Sequence, residues 1–110
     1  MKKKIYIAGK VTGEPKHSCA LKFAMAAKEI EAQGFEAVNP IEVVRDFEAP
    51  WETAMKKCIK ALMDCDALFF LPCTENSPGA NWELEIANRL KIPTSKFSTE
   101  AIKLFKPKEK

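Results

Sequence analysis

A carboxylate near the start of an apolar helical pattern is the feature of this sequence best suited to chemistry. The segment Asn76-Ser-Pro-Gly-Ala-Asn-Trp-Glu83 places a hydroxyl and a glycine before a helix, and Glu83 is expected in its first turn. Backbone N–H groups at a helix start bind phosphates and other anions. The helix dipole also favours acidic residues in a first turn. Glu83 can therefore be interpreted either as a carboxylate that takes part in chemistry or as an acidic residue that stabilises the start of the helix.

A second candidate loop follows the first apolar run. The segment Gly9-Lys-Val-Thr-Gly13 has glycine at both ends. Positions without side chains permit either a tight turn or a close approach of the backbone to a ligand. The loop contains neither the GxGxxG dinucleotide fingerprint nor the GxxxxGK[ST] phosphate loop. Both interpretations of the two glycines stay open at this point.

The cysteines and the histidine do not form a metal-binding pattern. There is no CxxC pair, and His17 is the single histidine, so a zinc site is not predicted. We expect reduced thiols that are buried or half-buried, with redox or metal roles as the alternative. The cysteines are Cys19, Cys58, Cys65 and Cys73.

The spacing of apolar residues predicts the elements that position these loops. Strands are expected at 4–8, 35–39, 67–71 and 92–97. Helices are expected from 18 to a stop at Gly34, from 51 to about 64, from 79 or 80 to 90, and from 99 to 105. Residues 41–50 are expected to be irregular or a short helical turn. The alternation predicts an α/β fold, a small parallel sheet of about four strands with helices on both faces.

This topology predicts where a ligand binds. Right-handed crossovers bring the β-to-α loops to the carboxyl edge of the sheet, where ligands bind at the switch point. The candidate loops are 9–15, 39–40 and 72–80. Asp66 precedes a buried strand, so we expect it at the opposite edge, ending a turn.

Length and charge restrict the classes of protein. The chain has 110 residues and a formal net charge of +3, which fits one domain over residues 1–110 and is too mild to indicate a nucleic-acid polymer as partner. Its basic excess lies near the ends and is expected to be solvated. No apolar run approaches the ~20 residues of a membrane span, and the stretch after Lys4 is too short for a signal peptide. We therefore expect a cytoplasmic protein. The lysines near the ends are Lys2, Lys3, Lys4, Lys103, Lys106, Lys108 and Lys110.

Several segments, in order over about residues 4–97, resemble the nucleoside 2-deoxyribosyltransferase-like superfamily. This superfamily includes 2'-deoxynucleoside 5'-monophosphate N-hydrolases, and the chain is most similar to a compact bacterial and phage branch. The matching segments are Ile5-Tyr-Ile-Ala-Gly9 with Gly13, Gly34 to Val38-Asn-Pro40, Cys65-Asp-Ala-Leu-Phe-Phe-Leu-Pro72, Ser77-x-Gly-Ala-x-x-Glu83-x-x-x-Ala87 and Ile92-Pro93.

The resemblance implies a fold, an assembly and a reaction. The fold is a flavodoxin-like sheet, and the assembly is a homodimer or larger homo-oligomer in which a neighbouring subunit helps to close each site. Glu83 is the implied nucleophile that attacks the anomeric carbon of a nucleoside or its 5'-monophosphate. Water or a second base then completes a reaction that retains configuration. A carboxylate nucleophile needs no metal and no organic cofactor.

The resemblance and the crevice loops together define candidate substrate-binding residues. Ser77 and Gly79 correspond to family positions at the 5' end of the sugar, and the loop from Gly9 to Gly13 to positions over the base and sugar. The full set is Ala8, Gly9, Lys10, Val11, Gly13, Asn39, Pro40, Ser77, Gly79 and Ala80.

The chain departs from the family pattern at several positions. Cys58 stands where characterised members carry an aspartate that positions the nucleophile or handles the proton, and a thiol differs from a carboxylate in charge and hydrogen bonding. Lys10 and Thr12 replace the Ser and Arg of the 5'-monophosphate hydrolases, although Lys10 still offers a point charge to a phosphate. Glu85 stands where several members have glycine.

Two functions are therefore carried forward. The first is an enzyme of the N-glycosidic bond, and the second is a nucleotide-binding module with impaired catalysis. A flavodoxin proper is disfavoured because the loop after the first strand is a poor phosphate loop. A phospho-receiver domain is disfavoured because Leu71-Pro-Cys73 supplies no aspartate at the end of the third strand.

Overall fold

Parallel strands form the centre of the fold in the computed structural model of the chain. The structure describes residues 2–11, 13–46, 48–72 and 77–105. Over these residues the strands are β1 (Lys4–Ala8), β2 (Glu36–Val38), β3 (Ala67–Phe70) and β4 (Thr94–Lys96). Their spatial order is β2-β1-β3-β4, and every neighbouring pair is parallel. The predicted α/β fold is confirmed, and its order matches the first four strands of a flavodoxin-like sheet.

The helices lie close to their predicted positions. They are α1 (Lys16–Ala32), α2 (Pro40–Val44), α3 (Trp51–Met63), α4 (Pro78–Arg89) and α5 (Thr99–Leu104). The short helix α2 is the turn expected in residues 41–50. It begins at Pro40 because the Asn39 side chain accepts a hydrogen bond from the Ile41 N–H at 3.0 Å, and proline suits the first helical position.

Side chains on both faces of the sheet are covered. Successive residues of β1 point to opposite faces, so Ile5 and Ile7 pack in one core cluster and Tyr6 and Ala8 in the other. Phe23 and Ile30 of α1 and Ile102 of α5 cover the first face. Leu62 of α3 and Ala87 of α4 cover the second. The prediction of helices on both faces is confirmed.

The large apolar residues of α4 are not its most buried residues. Trp82, Ile86 and Leu90 recur at a spacing of four; Trp82 is 56% and Leu90 54% exposed, whereas Ile86 is partly buried and packs against the second core cluster. The buried positions of α4 are Ala80, Glu83 and Ala87. Alanines let the helix approach the sheet closely, and Trp82 and Leu90 face outward.

The structure agrees with the expected position of Asp66 and with the expected end of the first helix. The backbone N–H of Lys4 donates to Asp66 Oδ2 at 2.8 Å, which places Asp66 at the amino edge as expected. Gly34 follows α1 with φ 91°, a conformation suited to the residue after a helix. Among the described residues, no helix is long and apolar enough to cross a membrane.

Candidate active site

A cavity of about 560 Å³ opens at the carboxyl edge of the sheet. It lies between the loop after β1, the helices α2 and α3, and the first turns of α4. This is the edge at which the topology predicts a ligand crevice. From the candidate residues the structure brings together Gly9, Lys10, Val11, Gly13, Pro40, Ser77, Gly79, Ala80 and Glu83.

Two candidate residues have structural positions instead. Ala8 is 0% exposed and packs in the core cluster below the cavity. Asn39 caps α2 through its side chain. Neither residue lines the cavity. Thr12, Cys73 and Asn76, which also belong to the predicted loops, lie outside the described residues.

Glu83 lies deeper in α4 than predicted. The helix begins at Pro78, and the Ser77 Oγ accepts a hydrogen bond from the Ala80 N–H at 3.1 Å as the N-cap. Glu83 therefore falls in the second turn, and the expectation of a first-turn position was wrong. Because the effect of the helix dipole falls off within the first turn, the dipole does not account for this carboxylate.

Tyr6 is the hydrogen-bond partner of Glu83. Its hydroxyl donates to Glu83 Oε2 at 2.6 Å, and the two side chains are 0% and 5% exposed. Sequence analysis did not assign Tyr6 a role. The available signal was a phenol between Ile5 and Ile7 in a buried strand, since a buried hydroxyl needs a partner.

Burial controls the protonation of Glu83. It raises the pKa of the carboxyl from 4.5 to about 7, while the hydrogen bond from Tyr6 acts in the opposite direction. Burial also raises the pKa of Tyr6, with Glu83 adding to the effect. Tyr6 thus remains a donor at neutral pH. A carboxyl that titrates near neutrality in a cleft is suited to nucleophilic or acid–base chemistry.

Cys58 of α3 is a further buried side chain on the same cavity wall as Glu83. Its side chain lines the cavity and is 6% exposed. Burial raises the pKa of its thiol to about 11, so the thiol is neutral at physiological pH. Cys19 and Cys65 are likewise buried thiols, as expected. Within the described ranges, no group of His, Cys, Asp and Glu is arranged to hold a metal ion.

The rest of the cavity combines an apolar wall with a charged rim. Charges of both signs lie at the opening, where Lys16 Nζ contacts Glu48 Oε1 at 2.6 Å. An apolar wall with few polar groups suits a ligand that has a flat apolar face and hydrogen-bonding edges. The apolar wall includes Val11, Ile41, Val44, Trp51, Ala54 and Met55, and the charged lining includes Lys10, Glu14, Lys16 and Asp46.

The structure explains the two glycines of the first loop in different ways: Gly9 by packing and Gly13 by backbone conformation. A Cβ on Gly9 would lie 2.9 Å from Leu71 Cδ1 and 3.0 Å from Phe23 Cζ, so packing beneath the loop favours glycine there. Gly13 has φ 81° and nothing within 4 Å of an added Cβ, which is the geometry of a turn. Both glycines line the cavity as well.

The fold and the cavity define a flavodoxin-like α/β protein. Its cavity lies at the carboxyl edge of the sheet and has the buried side chain of Glu83 in its wall. Residues 3–95 match the family described as a domain of unknown function (DUF4406), and the chain belongs to that family. Comparison with curated proteins gave no match.

The fold is also similar to a solved structure, the 2-desoxiribosyltransferase from Leishmania mexicana. The TM-score is 0.67 at 21% sequence identity, and the match covers 87% of this chain and 64% of that one. The chain thus spans slightly less than two thirds of that structure. At this identity the similarity establishes the fold, and the resemblance predicted from the motifs is confirmed at that level.

Proposed function

We propose that this protein is an enzyme of the N-glycosidic bond that acts on nucleosides, deoxynucleosides or their 5'-monophosphates, with Glu83 as the nucleophile. The observation that carries the proposal is the Glu83 carboxyl on the cavity wall, 5% exposed and held through Oε2 by Tyr6 at 2.6 Å. The similarity in fold to a 2-desoxiribosyltransferase supports this class of reaction.

The proposed reaction has two displacements at one carbon. Glu83 Oε1, the oxygen not bonded to Tyr6, attacks the anomeric carbon. The C–N bond breaks, and its electron pair leaves with the base, which takes up a proton. The resulting glycosyl ester is then attacked by water, which loses a proton and releases the free sugar and the Glu83 carboxylate. A second base in place of water gives transfer, and either route retains configuration.

The remaining cavity residues are proposed to bind the substrate. Ser77 and Gly79 at the start of α4 hold the 5' end of the sugar, at a helix N-terminus that favours an anion, and Ala80 lines the cavity beside them. The loop from Gly9 to Gly13 covers the base and sugar, and Pro40 forms part of the wall. A single domain, a cytoplasmic location and a homo-oligomer belong to the same proposal. Size-exclusion chromatography with light scattering tests the oligomer.

A chromatographic assay tests the proposed reaction. The purified protein is incubated with the four deoxynucleosides and their 5'-monophosphates, with and without a free acceptor base. We expect release or exchange of the base, and loss of this activity by about a thousandfold or more in Glu83→Gln. The matched control is Glu85→Gln, which makes the same change at an exposed position of the same helix.

The control separates a chemical effect from an effect on α4. Glu85→Gln should retain activity. Equal activity of Glu83→Gln and the native protein would exclude Glu83 as the nucleophile.

A nucleotide-binding module with impaired catalysis is the second candidate. It is favoured by Cys58, a neutral thiol with a pKa raised to about 11 by burial, at the position where the family members that the sequence resembles carry an aspartate. Saturable binding of nucleotides in calorimetry without base release would support this function. Base release that depends on Glu83 would exclude it.

A further inference from the structure

The outer face of α4 carries a row of large apolar side chains. Trp82, Ile86 and Leu90 recur at a spacing of four, and residues four apart form a ridge along a helix that can pack against a second helix. Trp82 and Leu90 are 56% and 54% exposed, while Ile86 is partly buried beside the second core cluster. Ile86 is therefore the middle of the row, and the two exposed residues lie about one turn before and after it.

This row is complementary to itself when it is turned around Ile86. In a second α4 that runs antiparallel across the first, with a two-fold axis at Ile86, Trp82 of each copy lies opposite Leu90 of the other. A two-fold symmetric dimer uses the same surface on both subunits, so that surface must be self-complementary. A large aromatic side chain that meets a leucine on both sides of the axis satisfies this requirement.

Opposite charges border the apolar row. Glu85 Oε2 and Arg89 Nε are 3.9 Å apart on the same helix, and their side chains are 62% and 78% exposed. Solvent screens such a pair, so it contributes little within one chain. In the antiparallel arrangement, Glu85 of one copy lies near Arg89 of the other, and the contact repeats across the axis. The charges of the two surfaces are therefore complementary.

We propose that the outer face of α4 is the interface through which two copies of this chain form a two-fold symmetric dimer, with Trp82, Ile86 and Leu90 at its apolar centre. The proposal rests on the proposed function only for the expectation of a homo-oligomer, to which it assigns a surface. Glu83 lies on the opposite, buried side of α4. The interface and the cavity wall thus use different faces of one helix.

The charges of this face favour a second copy over a membrane surface. Helices that lie on membranes carry an excess of lysine and arginine on their polar face, and these residues attract anionic lipids. The row on α4 is bordered by one acidic and one basic residue, Glu85 and Arg89. Such a balance has no net attraction for an anionic surface but matches an antiparallel copy of itself.

Size-exclusion chromatography with light scattering, over a dilution series, tests the apolar centre. We expect the native protein to be a dimer, and Trp82→Glu and Leu90→Glu to raise its dissociation constant by about thirtyfold or more, as for the loss of a central apolar contact. The matched control is Met25→Glu, which makes the same kind of change at a 64% exposed residue of α1 and should leave the dimer intact. Thermal unfolding confirms that each variant is folded.

Three outcomes of this experiment would overturn the proposal. One is a dimer that dissociates no more readily in Trp82→Glu than in the native protein. Another is a dimer that is lost in Met25→Glu and retained in Trp82→Glu, which would place the interface on α1. The third is a monomeric native protein that sediments with anionic phospholipid vesicles through Trp82, which would assign the face to a membrane surface.

Charge reversal tests the antiparallel arrangement. Glu85→Arg brings two positive charges together in both contacts, and Arg89→Glu brings two negative charges together. Each variant alone should dimerise about tenfold more weakly or worse, because like charges oppose association. An equimolar mixture should recover a dimer containing one copy of each, since both of its contacts join opposite charges, and native mass spectrometry identifies it by mass. Glu85→Gln, which creates no repulsion, should remain dimeric.

Recovery on mixing also excludes misfolding, because it requires two folded variants. A mixture that dimerises no more tightly than either variant alone would overturn the antiparallel interface.

The interface and the proposed reaction fail separately. None of these measurements uses a substrate, and Glu83→Gln should dimerise as the native protein does. A dimer that depends on Trp82, with full activity in Glu83→Gln, would retain the interface and reject the nucleophile. Base release that depends on Glu83, from a protein whose dimer is unaffected by Trp82→Glu, would do the reverse.

Discussion

Glu83 and Tyr6 form a pair in which a buried carboxylate is stabilised by a neutral donor. A neutral donor compensates the loss of hydration less completely than a cation does, and the Glu83 pKa consequently stays near 7. By contrast, Lys16 and Glu48 form an exposed ion pair at the cavity rim, where solvent screens the charges. Among these charged groups of the cavity, Glu83 is therefore the one whose carboxyl titrates near neutral pH.

The pH dependence of activity follows from this pair. A nucleophilic carboxylate must be ionised, so kcat/KM should rise with pH through about 7, the pKa of Glu83. In Tyr6→Phe the stabilising hydrogen bond is lost, and the ascending limb should move to higher pH. Steady-state kinetics from pH 5 to 9 measures both profiles. An ascending limb at the same pH in Tyr6→Phe would contradict the role of the phenol.

Stability should depend on the same carboxyl. Its pKa is about 7 in the folded protein against an ordinary value of 4.5, so the folded state binds more protons between these values. This contribution to stability is fully present below about pH 4.5 and is lost as pH rises through 7, with a magnitude on the order of 3 kcal/mol.

Chemical denaturation of the native protein and Glu83→Gln at pH 5 and pH 8 measures this effect. The native protein should lose stability relative to Glu83→Gln as the pH is raised. Glu85→Gln again serves as the control, and an identical pH response of the native protein and Glu83→Gln would contradict the expectation.

At the residue scale the sequence could predict part of the site. The motif around Ser77 and Gly79 identified Glu83, and the topology placed it at the correct edge of the sheet. The hydrogen bond to Tyr6 could not be predicted, because the two residues are 77 positions apart in the chain and only the packing of α4 on β1 brings them together.

At the element scale, the loop after β1 shows how packing and backbone conformation each account for a glycine. Gly9 leaves β1 directly above Leu71 and Phe23, and both side chains are buried. The sequence left open whether its glycines serve a turn or a ligand. The structure gives Gly9 a packing reason and Gly13 a conformational one.

Replacement of Gly9 by alanine should therefore destabilise the fold. The new methyl group would lie 2.9 Å from Leu71 Cδ1, and overpacking of a core costs about 1–3 kcal/mol. Denaturant unfolding of Gly9→Ala, Leu71→Ala and the double variant measures the coupling. We expect Leu71→Ala to relieve part of the Gly9→Ala cost. Strictly additive free energies of unfolding would show that the contact with Leu71 does not limit this position.

The helices show where apolar spacing is informative and where it misleads. In α1 the apolar residues that recur at spacings of three and four include Phe23 and Ile30, and both are buried. In α4 the large residues at a spacing of four are Trp82, Ile86 and Leu90, of which Trp82 and Leu90 are exposed, whereas the buried positions are two alanines and Glu83. A face formed by small residues and a hydrogen-bonded acid has little apolar bulk, so periodicity of large side chains cannot identify it.

At the scale of the whole molecule, the parallel α/β architecture was the property best predicted from the sequence. Four short strands alternating with helices require parallel pairing, and the uninterrupted apolar run of β3 indicated a strand buried on both faces. The shape of the cavity could not be predicted, because α2 and the first turn of α3 contribute much of its wall. The sequence indicated these segments only as an irregular stretch and the start of a helix.

The central position of β1 has a consequence for the order of assembly during synthesis. β1 pairs with β2 on one side and with β3 on the other, so its second edge is closed only once residues 67–70 have been made. The hydrogen bond of Tyr6 forms later still, since its acceptor lies 77 residues further along the chain. A nascent chain that ends before α4 thus carries Tyr6 without Glu83, and the buried pair can form only after α4 has been made.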